Sequence, residues 1–128
     1  NMPMHLEKVK GVCKEKINQE YKNWYITLEL NENHVKLIKN IDDECETYCK
    51  QKQLIFRKSL TDNILKVKIP YRYKKFEAEF TSNLKGRLTS YDIAPENDIE
   101  ILLQCDHMWS YENVRGLTWK TKLIHIIE

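Results

Sequence analysis

Residues 98–127, DIEILLQCDHMWSYENVRGLTWKTKLIHII, carry the clearest alternation of apolar and polar positions in the chain. Ile99, Ile101, Leu103 and Cys105 alternate with Glu100, Gln104 and Asp106, interrupted by Leu102. Leu117, Trp119, Thr121 and Leu123 then alternate with Thr118, Lys120 and Lys122. A period of two is that of a half-buried strand, so a hairpin over about 98–127 is expected. The pattern slips at Ile124–Ile127, which predicts a bulge or a fully buried end. The loop ENVRG joins the arms, and Gly116 is the residue expected to supply a positive φ there.

Upstream, residues 5–18 alternate weakly, with Gly11 a candidate bend. Residues 21–30 alternate well: Trp24, Ile26, Leu28 and Leu30 on one face, Tyr25, Thr27 and Glu29 on the other. The period then changes. Val35, Ile38, Ile41, Cys45, Tyr48 and Cys49 recur at steps of three and four, which predicts a helix over about 32–53 capped by Asn31 or Asn33. RKSLTDN (57–63) reads as a loop. In ILKVKIPYRYKKFEAEFTS, Leu65, Val67, Ile69, Tyr71 and Tyr73 share one side, and Pro70 places the strand at an edge or breaks it. Phe76, Ala78 and Phe80 mark another strand. Strands, one helix and more strands, with connections that can all be antiparallel, favour a mainly β (α+β) fold. The expected form is a single domain over 1–128, a small OB-like antiparallel β-barrel with one flanking helix.

With 41% hydrophobic and 31% charged residues the composition is that of a globular chain. No apolar run approaches the roughly 18 residues that span a bilayer, so no membrane partner is expected. No export signal is visible, so Cys13, Cys45, Cys49 and Cys105 are read as thiols of an intracellular, reducing compartment, nucleus or cytoplasm. Cys45 and Cys49 sit one turn apart, but buried thiols on a helix face explain them more simply than a metal. The formal net charge of +2 is unevenly spread. Residues 57–87 hold nine basic and three acidic residues, whereas 92–112 hold six acids and no Lys or Arg.

No Walker loop, GxSxG, HExxH or CxxC occurs. Of the four histidines, His5, His34, His107 and His125, only His107 has an acid beside it, Asp106. Neighbours in a strand point apart, so these two form a dyad only at a bulge. Asp42, Asp43 and Glu44 are expected to fan out over a helix surface. The reading is therefore not an enzyme, with no catalytic residue, no cofactor and no metal. The stretch KVKIPYRYKKF interleaves Lys66, Lys68, Arg72, Lys74 and Lys75 with Tyr71, Tyr73 and Phe76. Single-stranded nucleic acid requires both kinds: cations along the phosphates and rings on which bases stack. An amphipathic strand would also put lysines outward and tyrosines inward, whatever its function. In the hairpin, Trp109 and Tyr111 are the stacking candidates, and Trp119, between Leu117 and Leu123, belongs to the core.

The ending WSYENVRGLTWK with its apolar finish, preceded by KVKIPYRYKKF, resembles the terminal half of OB-fold single-stranded-DNA-binding proteins of large double-stranded-DNA viruses and phages. The resemblance covers Ile64 to Ile127 and rests on Tyr71, Arg72, Trp109, Gly116, Leu117, Trp119 and Lys120. It implies sequence-tolerant binding of single strands in replication, recombination or repair. Several such proteins end in an acidic tail that contacts replication partners. This sequence ends LIHIIE, so that recruitment is not carried over.

The leading expectation is thus a single-stranded DNA-binding module, with RNA as an alternative ligand. Lys66, Lys68, Arg72, Lys74, Lys75, Arg115, Lys120 and Lys122 would meet phosphates. Tyr71, Tyr73, Trp109 and Tyr111 would meet bases, with Trp24 or Tyr25 as further candidates. Replication proteins and a second copy of the chain are the protein partners considered. The alternatives are a protein-interaction or dimerising module without nucleic-acid binding, and a small hydrolase or nuclease.

Overall fold

The computed structural model describes the backbone of residues 4–128 and the side chains of residues 8–128. The chain is mainly β with one helix, and five strands close into a ring. The first is β1 (Met4–Glu20), which turns through Tyr21 (φ 57°) into β2 (Asn23–Leu30). The weakly patterned start is therefore a strand of 17 residues. Its register slips three times, between His5 and Lys8, Cys13 and Glu15, and Glu15 and Asn18, and each slip scrambles the period. Gly11 sits where an added Cβ would lie 2.7 Å from the Glu29 carbonyl oxygen, so glycine is needed for close approach to β2.

Helix α1 (Glu32–Gln51) follows, capped by the Asn31 side chain, which accepts the His34 N–H at 3.0 Å. It ends two residues before the expected boundary because Gln53 turns left-handed (φ 60°) and Leu54 N–H closes onto Cys49 O at 2.8 Å. Ile38 and Cys49 face the core.

The expected loop at 57–63 is partly strand. β3 (Ile55–Arg57) and β4 (Leu60–Thr61) precede β5 (Ile64–Ile69). Pro70 ends β5, and β6 (Tyr71–Arg72) and β7 (Lys75–Phe76) form a separate two-stranded hairpin. Its turn uses Tyr73 (φ 54°) and Lys74 (φ 64°), so Tyr73 leaves the side it was expected to share with Leu65 and stands 86% exposed. Then come β8 (Glu79–Ser82), β9 (Gly86–Arg87) and a short 3-10 turn, Ser90–Asp92. The terminal hairpin is β10 (Asp98–Tyr111) and β11 (Val114–Ile127).

In the ring, β5, β2, β1, β10 and β11 are neighbours in that order, and β11 returns to β5 through the pair Lys120↔Lys68. The sheet is mixed and not wholly antiparallel as expected: β11 runs parallel to β3, β5 and β8. Parallel neighbours need long crossovers, and more than thirty residues of chain separate each of these strands from β11. The interior is apolar: Ile26, Leu28, Leu65, Val67, Ile69, Ile99, Ile101, Leu103 and Ile124 are fully buried. Among the described residues no helix is long and apolar enough to cross a membrane.

Two bulges shape the hairpin. Ile101↔Ile124 is followed by Leu103↔Thr121, so β11 carries one extra residue there, as the slip in its pattern predicted. The Thr121 hydroxyl donates to Leu123 O (2.9 Å) and accepts Leu123 N–H (3.2 Å), which stabilises the kink. A second slip between Cys105 and His107 inserts Asp106 into β10. The hairpin turn itself is only Glu112–Asn113, and Glu112 takes the positive φ (53°). Gly116 lies within β11 opposite Trp109, where a Cβ would fall 2.2 Å from the indole. Its role is to let that ring lie flat on the strand.

Candidate functional site

β2 and β5, the terminal hairpin and the β6–β7 hairpin contribute to three depressions, neighbours of which share residues and which are together called the groove. Asn23 and Lys68 belong to the first and the second, and Trp24 and Tyr71 to the second and the third. Together they are lined by twelve Lys or Arg and four acids, a net of +8 in a chain whose formal total is +2. The remainder of the molecule is correspondingly acidic.

The first depression, about 510 Å³, lies between Tyr25 of β2 and Trp109 of β10. The Arg57 guanidinium stands 5.8 Å from the centre of the Trp109 ring, and Lys66 Nζ stands 5.3 Å from that of Tyr25. Lys66 is also gripped by both Glu20 carboxylate oxygens at 2.7 Å, which leaves less of its charge for a ligand. Lys58 lies 3.9 Å from Glu46. Lys68 makes no ion pair among the described residues.

A buried carboxylate fixes this wall. Asp42, 2% exposed, accepts the Ser59 N–H (2.8 Å), the Ser59 hydroxyl (2.7 Å) and the Leu60 N–H (3.4 Å). The same hydroxyl accepts the indole N–H of Trp119 at 2.7 Å. The relay ties helix, basic loop and hairpin together at Ser59, beside Arg57 and Lys58. Asp42 thus does not fan out over the surface as expected; it turns inward where α1 crosses the loop. Burial raises its pKa against the lowering effect of its three hydrogen bonds.

The second depression, about 270 Å³, holds Lys22, Lys68, Arg72, Lys120 and Lys122 with Glu77 and Asp106. Lys120 pairs with Asp106 at 2.9 Å and Arg72 with Glu77 at 3.4 Å. The β10 bulge does bring Asp106 and His107 together, Oδ2 to Nδ1 at 3.0 Å, but both are partly exposed and Asp106 is held by Lys120. The hydrogen bond from Lys120 is the main cause that lowers the Asp106 pKa.

The third depression, about 690 Å³, takes in Tyr71, Lys74, Lys75 and Phe76. Of the residues expected at the site, Lys66, Lys68, Tyr71, Arg72, Lys74, Lys75, Trp109, Lys120 and Lys122 line the groove. Tyr73 and Tyr111 are exposed away from it, and Arg115 is turned onto the Glu112 and Val114 carbonyls, each at 2.9 Å. Arg57, Lys58 and Arg87 also line the groove; they belong to the basic stretch 57–87 but to no strand pattern, and Lys16 and Lys22 carry no local pattern that singles them out. Cys13, Cys49 and Cys105 are buried, Cys45 is half-buried, and all four are free thiols. Among the described residues no three His, Cys, Asp or Glu cluster as metal ligands; the His5 side chain lies outside them.

The chain matches no family model, no curated protein and no solved structure. The functional reading therefore rests on the groove alone.

Proposed function

We propose that this groove binds single-stranded nucleic acid without strong sequence preference. The observation that carries the reading is the concentration of twelve cations in one groove whose walls are Tyr25, Trp109, Trp24 and Tyr71. Cations alone would serve any polyanion, and rings alone would serve the core. Cations and rings brought together in one groove suit a strand that carries both phosphates and bases. Direct hydrogen-bond readout is not needed, because every base has a face to stack. DNA of a replication, recombination or repair intermediate is the ligand class favoured here, in a reducing intracellular setting.

An OB-type barrel is part of the same proposal. The ring of five strands supports it, as does the location of the groove. OB folds bind oligonucleotides on the face of their second and third strands, flanked by the loops after the first and fourth. Here the corresponding elements are β2, β5 and the Tyr21–Lys22 turn, and the terminal hairpin lines the groove through its arms, at Trp109 and Leu117–Trp119, and not through its tip. One departure is that the helix lies between the second and third ring strands, where it carries the Asp42 relay into the groove wall.

The test is titration with labelled 30-nucleotide oligo(dT) at two salt concentrations, with tryptophan emission recorded in parallel. Binding should quench emission and weaken with salt at a log–log slope of about −0.7 per neutralised phosphate. No binding at low salt would refute the proposal.

A further inference from the structure

We infer that the third depression is a separate nucleobase subsite, in which a base stacks on Tyr91 in a hollow that the Tyr71–Phe76 cluster also lines. The inference rests on the groove reading above and deepens it. One wall is a rigid cluster: Tyr71 and Phe76 meet at 5.0 Å between centroids, and Trp24 meets them at 5.6 and 5.4 Å. Phe80 backs the cluster at 5.7 Å from Phe76. Tyr91, on the 3-10 turn, also lines the hollow; it is 96% exposed and has no packing role in the folded chain. Its position is nevertheless held. Thr89 N–H donates to Asp92 Oδ2 at 2.8 Å, and Asp92 N–H returns to Thr89 O at 3.0 Å. A fixed turn that adds a bare ring to the lining of a hollow of about 690 Å³, which the aromatic cluster also lines, offers a flat ligand two places to stack.

The charge around the hollow specifies which flat ligand. Lys16, Lys74, Lys75 and Arg87 line it against one acid, Glu79, and none of these four cations is in an ion pair among the described residues. The first depression, by contrast, has Lys58 and Lys66 already engaged by Glu46 and Glu20. An aromatic slot rimmed by unengaged cations fits a base with its flanking phosphates. The indole N–H of Trp24, at the back of the cluster, is buried without a partner, so the wall is not fully satisfied in the free protein.

Oligo(dT) of increasing length, from 4 to about 20 nucleotides, titrated against wild type, Tyr91→Ala and Tyr91→Phe, tests this. The exposed ring makes the substitution harmless to folding. Wild-type affinity should rise with strand length as the three depressions fill. Tyr91→Ala should weaken binding about tenfold for every strand that occupies the third depression, and Tyr91→Phe should restore it. Equal affinities of wild type and Tyr91→Ala at every length, in a protein that binds, would overturn the subsite while the groove reading stands. Absence of wild-type binding at every length would overturn both.

Discussion

Asp42 should hold helix α1 to the Ser59 loop and, through the Ser59 hydroxyl, to β11. Its removal has a calculable cost. Asp42→Ala leaves the Ser59 N–H and hydroxyl, and the more distant Leu60 N–H, without their acceptor in a partly buried site. Hydrogen bonds to a charged group contribute about 1.5–3 kcal/mol each, offset in part by the desolvation that raises the pKa of this carboxyl. A net loss of about 3 kcal/mol is expected. With an m-value of about 2 kcal/mol/M, the urea midpoint should fall by about 1.5 M. Asp42→Asn keeps an acceptor for the two N–H groups and should lose only about 1 kcal/mol. The pH dependence has a definite sign. A carboxyl whose folded pKa is raised contributes most below its unfolded pKa, and that contribution is lost as pH rises through the folded value. Wild type should therefore gain on Asp42→Asn as the pH is lowered from neutrality. Urea unfolding followed by tryptophan emission reads all three comparisons, since Trp119 is a member of the relay. An Asp42→Ala midpoint indistinguishable from wild type would refute the argument that this carboxylate fixes the loop.

Gly116→Ala should displace the Trp109 ring, because its Cβ would sit 2.2 Å from Cζ2; a loss of about 1–3 kcal/mol and red-shifted indole emission are expected in unfolding and fluorescence measurements. Asp106→Asn removes an acid from the groove and frees Lys120, so oligo(dT) should bind a few-fold more tightly with a steeper salt slope; unchanged binding would place Lys120 outside the phosphate path. Trp109→Ala should lower oligo(dT) affinity by the roughly 1–3 kcal/mol of one stacked base. The Cys105 thiol, pushed up to about 11 mainly by burial, should resist iodoacetamide at neutral pH and react promptly in urea.

The terminal hairpin, β2 and α1 were legible in the sequence because each keeps one period over at least eight residues against a single interior. The bulge near Ile124 was legible for the same reason, as a break in that period. The bulge at Asp106 was not, since Asp106 and His107 are both polar and a polar insertion leaves the apolar pattern intact. β3 and β4 were missed because strands of three and two residues carry no measurable period. Asp42 was misplaced because helical spacing alone cannot show that a loop, seventeen residues on, crosses the helix there and donates to it. The uneven charge distribution points to the basic middle of the chain in the sequence itself. Lys120 and Lys122 were expected beside that stretch, whereas Lys16 and Lys22 join it only through the closed ring. Gly116 illustrates the limit most directly: its importance was visible, but the cause is a neighbouring ring and not a turn.

The ring closes at one pair, Lys120↔Lys68, and both members are cations that line the same depression. Only Lys120 has a counter-charge, from Asp106. The closure thus brings two cations together with a single counter-charge, so an anion bound across them would favour the closed ring. Occupancy of the groove would then add to the stability of the ring. A polyanion at a thousandfold excess over its dissociation constant would add about 4 kcal/mol to the free energy of unfolding, so the melting temperature itself becomes a gauge of how much of the groove is filled.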